Sequence, residues 1–164
     1  MFGPDRVIRE NPAGYGFHYK PYNFDSKPEV GYFERLIDML NERPSKVADV
    51  LFVGALTSPD KTDLAFEYVR KDGRLARYSP DFLLRCEDDR WFLVEIKQER
   101  AREDPVEGED GLKARAVRAI VEQNPVRLGY QMVFTPSDDV LAADLAAARA
   151  FADTCGRSES SAER

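Results

Sequence analysis

Asp81, Glu95 and Lys97 are the residues whose types and spacing point to chemistry, and they lie within the stretch YSPDFLLRCEDDRWFLVEIK. Two carboxylates and an ammonium gathered on one sheet face are the parts needed to hold a divalent cation and activate a water. The chemistry such a set would perform is phosphodiester hydrolysis. Mg²⁺ prefers hard oxygen donors and takes only one or two carboxylates from protein, a demand that Asp81 and Glu95 meet, with the backbone carbonyl of Ile96 between the last two motif residues. Mn²⁺ would serve as a substitute. Lys97 would orient the nucleophile or a phosphate oxygen.

Those three side chains need a hairpin to bring them together. Residues 82–86 and 91–96 are rich in apolar, aromatic and branched side chains, while Glu87, Asp88 and Asp89 between them have turn composition and no helical period. With a three-residue loop, Asp81 falls opposite Glu95, their Cβ atoms about 5 Å apart. Side chains alternate along a strand, so Glu95 and Lys97 share a face while Val94 and Ile96 point into the core. Pro80 suits an irregular strand start, which places Asp81 at a bend. A solvated cross-strand ion pair has the same Glu-x-Lys pattern, and the motif alone does not separate the two readings.

Around the hairpin, Ser26-Lys27-Pro28-Glu29 reads as a capping box that opens a helix over residues 27–42, with Val30, Phe33, Ile37 and Leu40 at helical spacing. Glu34 lies about 100° around from Phe33, at the edge of the apolar stripe, where it faces either sheet or water. Residues 50–56 and 64–70 read as strands, and Asp72-Gly73 as a two-residue turn into a strand over 74–79. An antiparallel meander follows from that order. Residues 98–111 are charged and poor in apolar side chains, as in a solvated loop. A helix over 112–122, a strand over 128–134 and an Ala-rich helix over 138–151 complete an α/β sandwich with a crossover connection. Residues 156–164 are too polar to pack and read as a tail.

Composition bounds the rest. With 164 residues and 43% hydrophobic content the chain can bury one good core, so residues 1–155 are expected as a single domain with an aromatic N-terminal segment over 1–25. No stretch approaches the roughly 20 apolar residues of a bilayer span, which predicts a cytoplasmic protein with no membrane partner. Cys86 and Cys155 lack zinc-site spacing and are expected as free thiols. His18 is the single histidine, which excludes histidine-rich metal sites and disfavours a nucleophile–His triad; a structural role fits it better. The formal charge of −6 is at odds with a simple DNA-binding surface, although residues 70–118 balance twelve Lys/Arg against twelve Asp/Glu.

The segments PYNFDSKPEVGYFERL, LFVGALTSPDKTDLAFEY, RYSPDFLL, VEIKQER and DPVEGEDGLKARA, in that order, resemble the PD-(D/E)XK nuclease domain at the C-terminus of type III restriction enzymes and related helicase-nucleases. The resemblance spans roughly residues 19–134. It implies a restriction-endonuclease-like α/β core, a mixed central β-sheet flanked by α-helices, and Mg²⁺-dependent DNA cleavage. By that likeness Asp81 and Glu95 are metal ligands, Lys97 is the catalytic lysine, and Glu34 is the helical acid that completes such sites. Lys113 matches the lysine of the helix after the motif and, with Arg77, is an expected DNA contact. The implied partners are DNA and a helicase or translocase module in cis or in trans that supplies grip, and the likeness leaves room for a homodimer. Two other readings stay open: a catalytically silent nuclease-fold module that scaffolds a partner, and a phosphoesterase acting on RNA or nucleotides.

Overall fold

Ser26 opens the first helix. Its hydroxyl donates to Glu29 Oε1 (2.8 Å) and accepts from the Glu29 amide (3.4 Å), while Glu29 Oε2 accepts from the Ser26 amide (3.3 Å). This is the reciprocal capping box read from the sequence, and it fixes the start of α1 (Lys27–Glu42). The computed structural model describes residues 24, 26–42, 46–53, 64–98, 108–135 and 145–155. The remaining elements are β1 (Val47–Phe52), β2 (Phe66–Val69), β3 (Leu75–Tyr78), β4 (Phe82–Cys86), β5 (Trp91–Gln98), α2 (Glu109–Gln123), β6 (Leu128–Thr135) and α3 (Ala146–Thr154).

The predicted β4–β5 hairpin forms in the predicted register: Phe82 pairs with Val94, Leu84 with Phe92 and Arg85 with Trp91. Its loop is Glu87-Asp88-Asp89, closed by Cys86 N–H donating to the Arg90 carbonyl (2.9 Å), with Asp89 in the left-handed region at φ 61°. The β2–β3 turn is built the same way, which corrects the two-residue turn expected at Asp72-Gly73. Only Gly73 has a positive φ (81°), and Arg70 N–H donates to the Arg74 carbonyl (2.9 Å), so the loop holds three residues. A two-residue type I′ turn would need two consecutive positive φ values.

The meander does not form. β4 is flanked by β1 and β5, both antiparallel, and β5 pairs with β6 in parallel, giving a four-stranded mixed sheet in the order β1-β4-β5-β6. β2 and β3 form a separate two-stranded sheet. The break falls at Ser79-Pro80, where proline offers no ladder donor and Asp81 bends the chain. The parallel β5–β6 pair is joined by α2, the pairing a crossover helix requires.

Each face of the larger sheet carries its own apolar cluster. Phe82, Leu84, Val94, Ile96 and Val133 pack with α1 and α3 on one face. Leu83 and Leu93 pack on the other with Val117 of α2 and with Tyr68 and Tyr78 of the small sheet. The chain is thus mixed α/β, its mixed sheet flanked by helices. Phe24, from the expected aromatic N-terminal segment, stacks near Phe52 (ring centroids 4.5 Å) and Phe33 (5.4 Å); the rest of that segment, with His18, lies outside the described residues. So do the tail over 156–164 and most of the expected solvated loop. The final part of that loop is helical instead, because α2 starts at Glu109 behind an N-cap at Gly108. β1 covers 47–52, starting before the expected 50, and α3 covers 146–154; residues 54–56 of the strand expected over 50–56, and 136–144, where the earlier start of α3 was expected, lie outside the described residues.

The cysteines correct another expectation. Cys86 of β4 and Cys155 after α3 form a disulfide, their Cα atoms 5.3 Å apart. Their sequence separation of 69 hid the pairing, which only the packing of α3 across the sheet creates. Among the described residues no helix is long and apolar enough to cross a membrane.

Phe82 sits at the centre of the larger cluster, fully buried, with ring contacts to Phe24, Tyr32, Phe33 and Phe52. Phe82→Ala is expected to cost about 3–5 kcal/mol in urea unfolding. A loss below about 1 kcal/mol would show that the site's neighbouring core is not packed as described.

Candidate functional site

Asp81 is held by its backbone on both sides. Its N–H donates to the Val94 carbonyl (3.0 Å) and its carbonyl accepts from Val53 N–H (2.8 Å), so the bend is clamped between β5 and the end of β1. Its side chain turns toward β5, where Oδ2 accepts the Ile96 amide proton (2.6 Å). Within a strand a residue's N–H and C=O point to the same side, so the Ile96 carbonyl is directed toward Asp81 as well.

Glu95 is 3% exposed, on the face of β5 that meets α2. A carboxylate at that depth needs partners. Tyr78 O–H donates to Oε2 (2.5 Å), and the Lys97 ammonium contacts Oε1. Lys97 Nζ also lies 3.4 Å from Asp110 Oδ1, and Lys113 Nζ is 3.5 Å from the same oxygen and 5.7 Å from the centre of the Tyr78 ring. The first turn of α2 is tied to the small sheet through Glu109, which accepts from Tyr68 O–H and pairs with Arg70 Nε (3.3 Å).

The electrostatics follow from this crowding. Burial, and then the Glu95 charge, push the Asp81 carboxyl well above its usual range, against the opposing Ile96 amide and Lys97 ammonium. Burial alone would lower Lys97, but the charge and hydrogen bond of Glu95 outweigh it and hold the ammonium protonated above its ordinary range. Burial and the same carboxylate raise the phenols of Tyr78 and Tyr130. Tyr68 is pushed up to about 12, by burial and by Glu109.

The structure therefore brings Asp81, Glu95, Lys97, the Ile96 carbonyl and Lys113 to one region. It sets Arg77 apart: neighbouring Tyr78 turns inward to Glu95, so Arg77 alternates to the exposed face of β3. On α1 the acid whose charge raises Asp81 is Glu29. Glu34, partly buried, follows five residues later, about 140° around the helix. Sequence reasoning spent Glu29 on the capping box, yet it falls on the buried stripe with Phe33, Leu36 and Leu40, and that position was the available signal. Tyr78 was also missed; an aromatic residue just before the Pro80 break offers no hint of a contact across two sheets.

Among the described residues no group of three or more His, Cys, Asp or Glu side chains gathers as a metal cluster. The donor set that does gather is two carboxylates with a backbone carbonyl. No family model, curated protein or solved structure matches the chain.

The raised Asp81 carries a stability signature. Its folded pKa lies above the unfolded value of 3.8, so the protonated folded form is favoured at low pH and this stability is lost as pH rises through the folded value. In chelator, Asp81→Asn, which keeps an acceptor for the Ile96 amide, is expected to melt above the parent at pH 8, with the gap closing toward pH 4. A gap that is constant with pH, or of opposite sign, would show that Asp81 is not under this strain.

Proposed function

We infer that this chain is a metal-dependent endonuclease domain of restriction-endonuclease-like fold that hydrolyses DNA phosphodiester bonds. The observation that carries the reading is Asp81, pinned by the Ile96 amide and within reach of the Glu95 charge, with Lys97 on the Glu95 carboxylate. A buried Asp81 carboxyl pushed up by its burial and by the neighbouring Glu95 charge is what a hard cation relieves. Glu95 is in contact through both oxygens, and each oxygen retains a second lone-pair site. Bound by Asp81, Glu95 and the Ile96 carbonyl, Mg²⁺ or Mn²⁺ would supply a water of lowered pKa and charge to offset that building on the phosphate.

The chain's own residues do the remaining work. Lys97 stays a cation, so it orients a water or phosphate oxygen by donating, and does not serve as the base. Tyr78 and Lys97 together fix the rotamer of Glu95. Lys113, on α2 beside Asp110 and the Tyr78 ring, would meet a phosphate. With a net charge of −6, a helicase or translocase module is the natural source of the remaining grip on DNA. Such a partnership belongs in the cytoplasm, where reduction would hold Cys86 and Cys155 as buried thiols.

A silent, scaffolding use of the same fold draws support from the engagement of both Glu95 oxygens by Tyr78 and Lys97. Cleavage decides between the two. Plasmid incubated with the protein and Mg²⁺ or Mn²⁺ is expected to be nicked or linearised, with chelator abolishing the product. Asp81→Asn, Glu95→Gln and Lys97→Met should each lower the rate by about 10²–10³-fold. Parallel assays on single strands and RNA are expected to show slower turnover than on duplex DNA. Equal cutting by parent and variants would end the nuclease reading, and a melting temperature unmoved by Mn²⁺ would favour the scaffold.

A further inference from the structure

The β2–β3 hairpin stands outside the main sheet and has two unlike faces. Phe66, Tyr68 and Tyr78 are buried, and Tyr68 meets the first turn of α2. The other face presents Val69 and Leu75, paired across the ladder and 56% and 64% exposed, beside Glu67 and Arg77. At the tip, Lys71 is exposed and the Arg74 side chain is 84% exposed. Over residues 66–78, Arg70, Lys71, Arg74 and Arg77 outnumber Glu67 and Asp72 in a chain that is acidic as a whole. Asp72 accepts from the Arg74 amide (3.0 Å) and lies 3.8 Å from Arg74 Nε, both contacts within the turn, while Lys71 is exposed.

We propose that this hairpin is the duplex-DNA grip of the domain, its outer face and tip lying in a groove next to the site. The proposal rests on the nuclease reading for where the scissile strand runs. A two-stranded ribbon fits the major groove, about 12 Å wide, and exposed cations on a ribbon release counterions when they meet phosphates. The apolar Val69–Leu75 pair faces the groove between those cations, where a helix or another strand would otherwise be needed to cover it. Continuity with the site is direct, because β3 ends at Tyr78, whose hydroxyl binds Glu95. At about 3.3 Å per residue, Arg74 is about 13 Å from Tyr78, well inside one turn of B-DNA at about 34 Å. One bound duplex thus reaches both.

The test measures grip without cleavage. Full-chain protein in chelator is titrated against a fluorescent duplex at several salt concentrations. The parent is expected to bind at 50 mM salt, and the double variant Lys71→Ala with Arg74→Ala to lose about 100-fold there, its log K against log[salt] slope shallower by about 2, with an unchanged melting temperature. Unchanged affinity and slope in the variant overturn the proposal, as does a parent that fails to bind. Tighter binding of single-stranded DNA or RNA with the same variant losses overturns the duplex assignment. Cleavage by Glu95→Gln is scored separately: its persistence sinks the nuclease reading alone, whereas an unaltered salt slope sinks the hairpin alone.

Discussion

A carboxylate buried in a sheet face constrains everything near it, and in this chain that carboxylate is Glu95. Removing an ion from water costs several kcal/mol, so its surroundings must return that energy through hydrogen bonds and opposite charge. Tyr78 and Lys97 do so directly, one from a second sheet and one from two residues along the same strand. Lys97 is in turn steadied by Asp110 at the start of α2. The separate hairpin, the crossover helix and the central strand are therefore bound into one polar network, and none of them can shift without leaving a buried charge exposed to nothing.

The two faces of the sheet divide the labour. Even-numbered residues of β4 and β5, such as Phe82, Leu84, Val94 and Ile96, feed the larger cluster beneath α1 and α3. Odd-numbered ones, Leu83, Leu93 and Glu95, face α2 and the hairpin, where the apolar contact is thinner and polar groups are admitted. Stability resides mainly on one side and chemistry on the other. Asp81 joins the two because its backbone completes the ladder while its side chain leaves it, a split that Pro80 permits by ending β3 before β4 begins. The disulfide from Cys86 to Cys155 fastens α3 to the far end of β4, at the opposite tip of the strand from Asp81.

Much of the site was legible because hairpins are local. Alternation and loop length alone gave the β4–β5 register, from Arg85 against Trp91 to Phe82 against Val94, and the capping box gave the start of α1 while its apolar spacing gave the extent. Glu29 shows where local reading stops: one residue serves the helix end through Ser26 and raises Asp81 from another element, and only the first role has a signature in neighbouring residues. Glu34 was singled out by the resemblance, and its place at the stripe's edge left open whether it faces sheet or water, because that position says nothing about which strand the helix covers.

The sequence by itself determined the short-range parts: the paired carboxylates and lysine, the β4–β5 turn, the extent of α1 and the strand that became β6. Tertiary structure alone decided that β2–β3 would leave the sheet, that β1 would take the place beside β4, that Cys86 would meet Cys155, and that Tyr78 would reach Glu95. Turn residues and periodicity are written into a few consecutive positions, whereas strand order and cross-sheet contacts depend on which apolar faces cover one another once the chain has collapsed, and that choice belongs to no single segment.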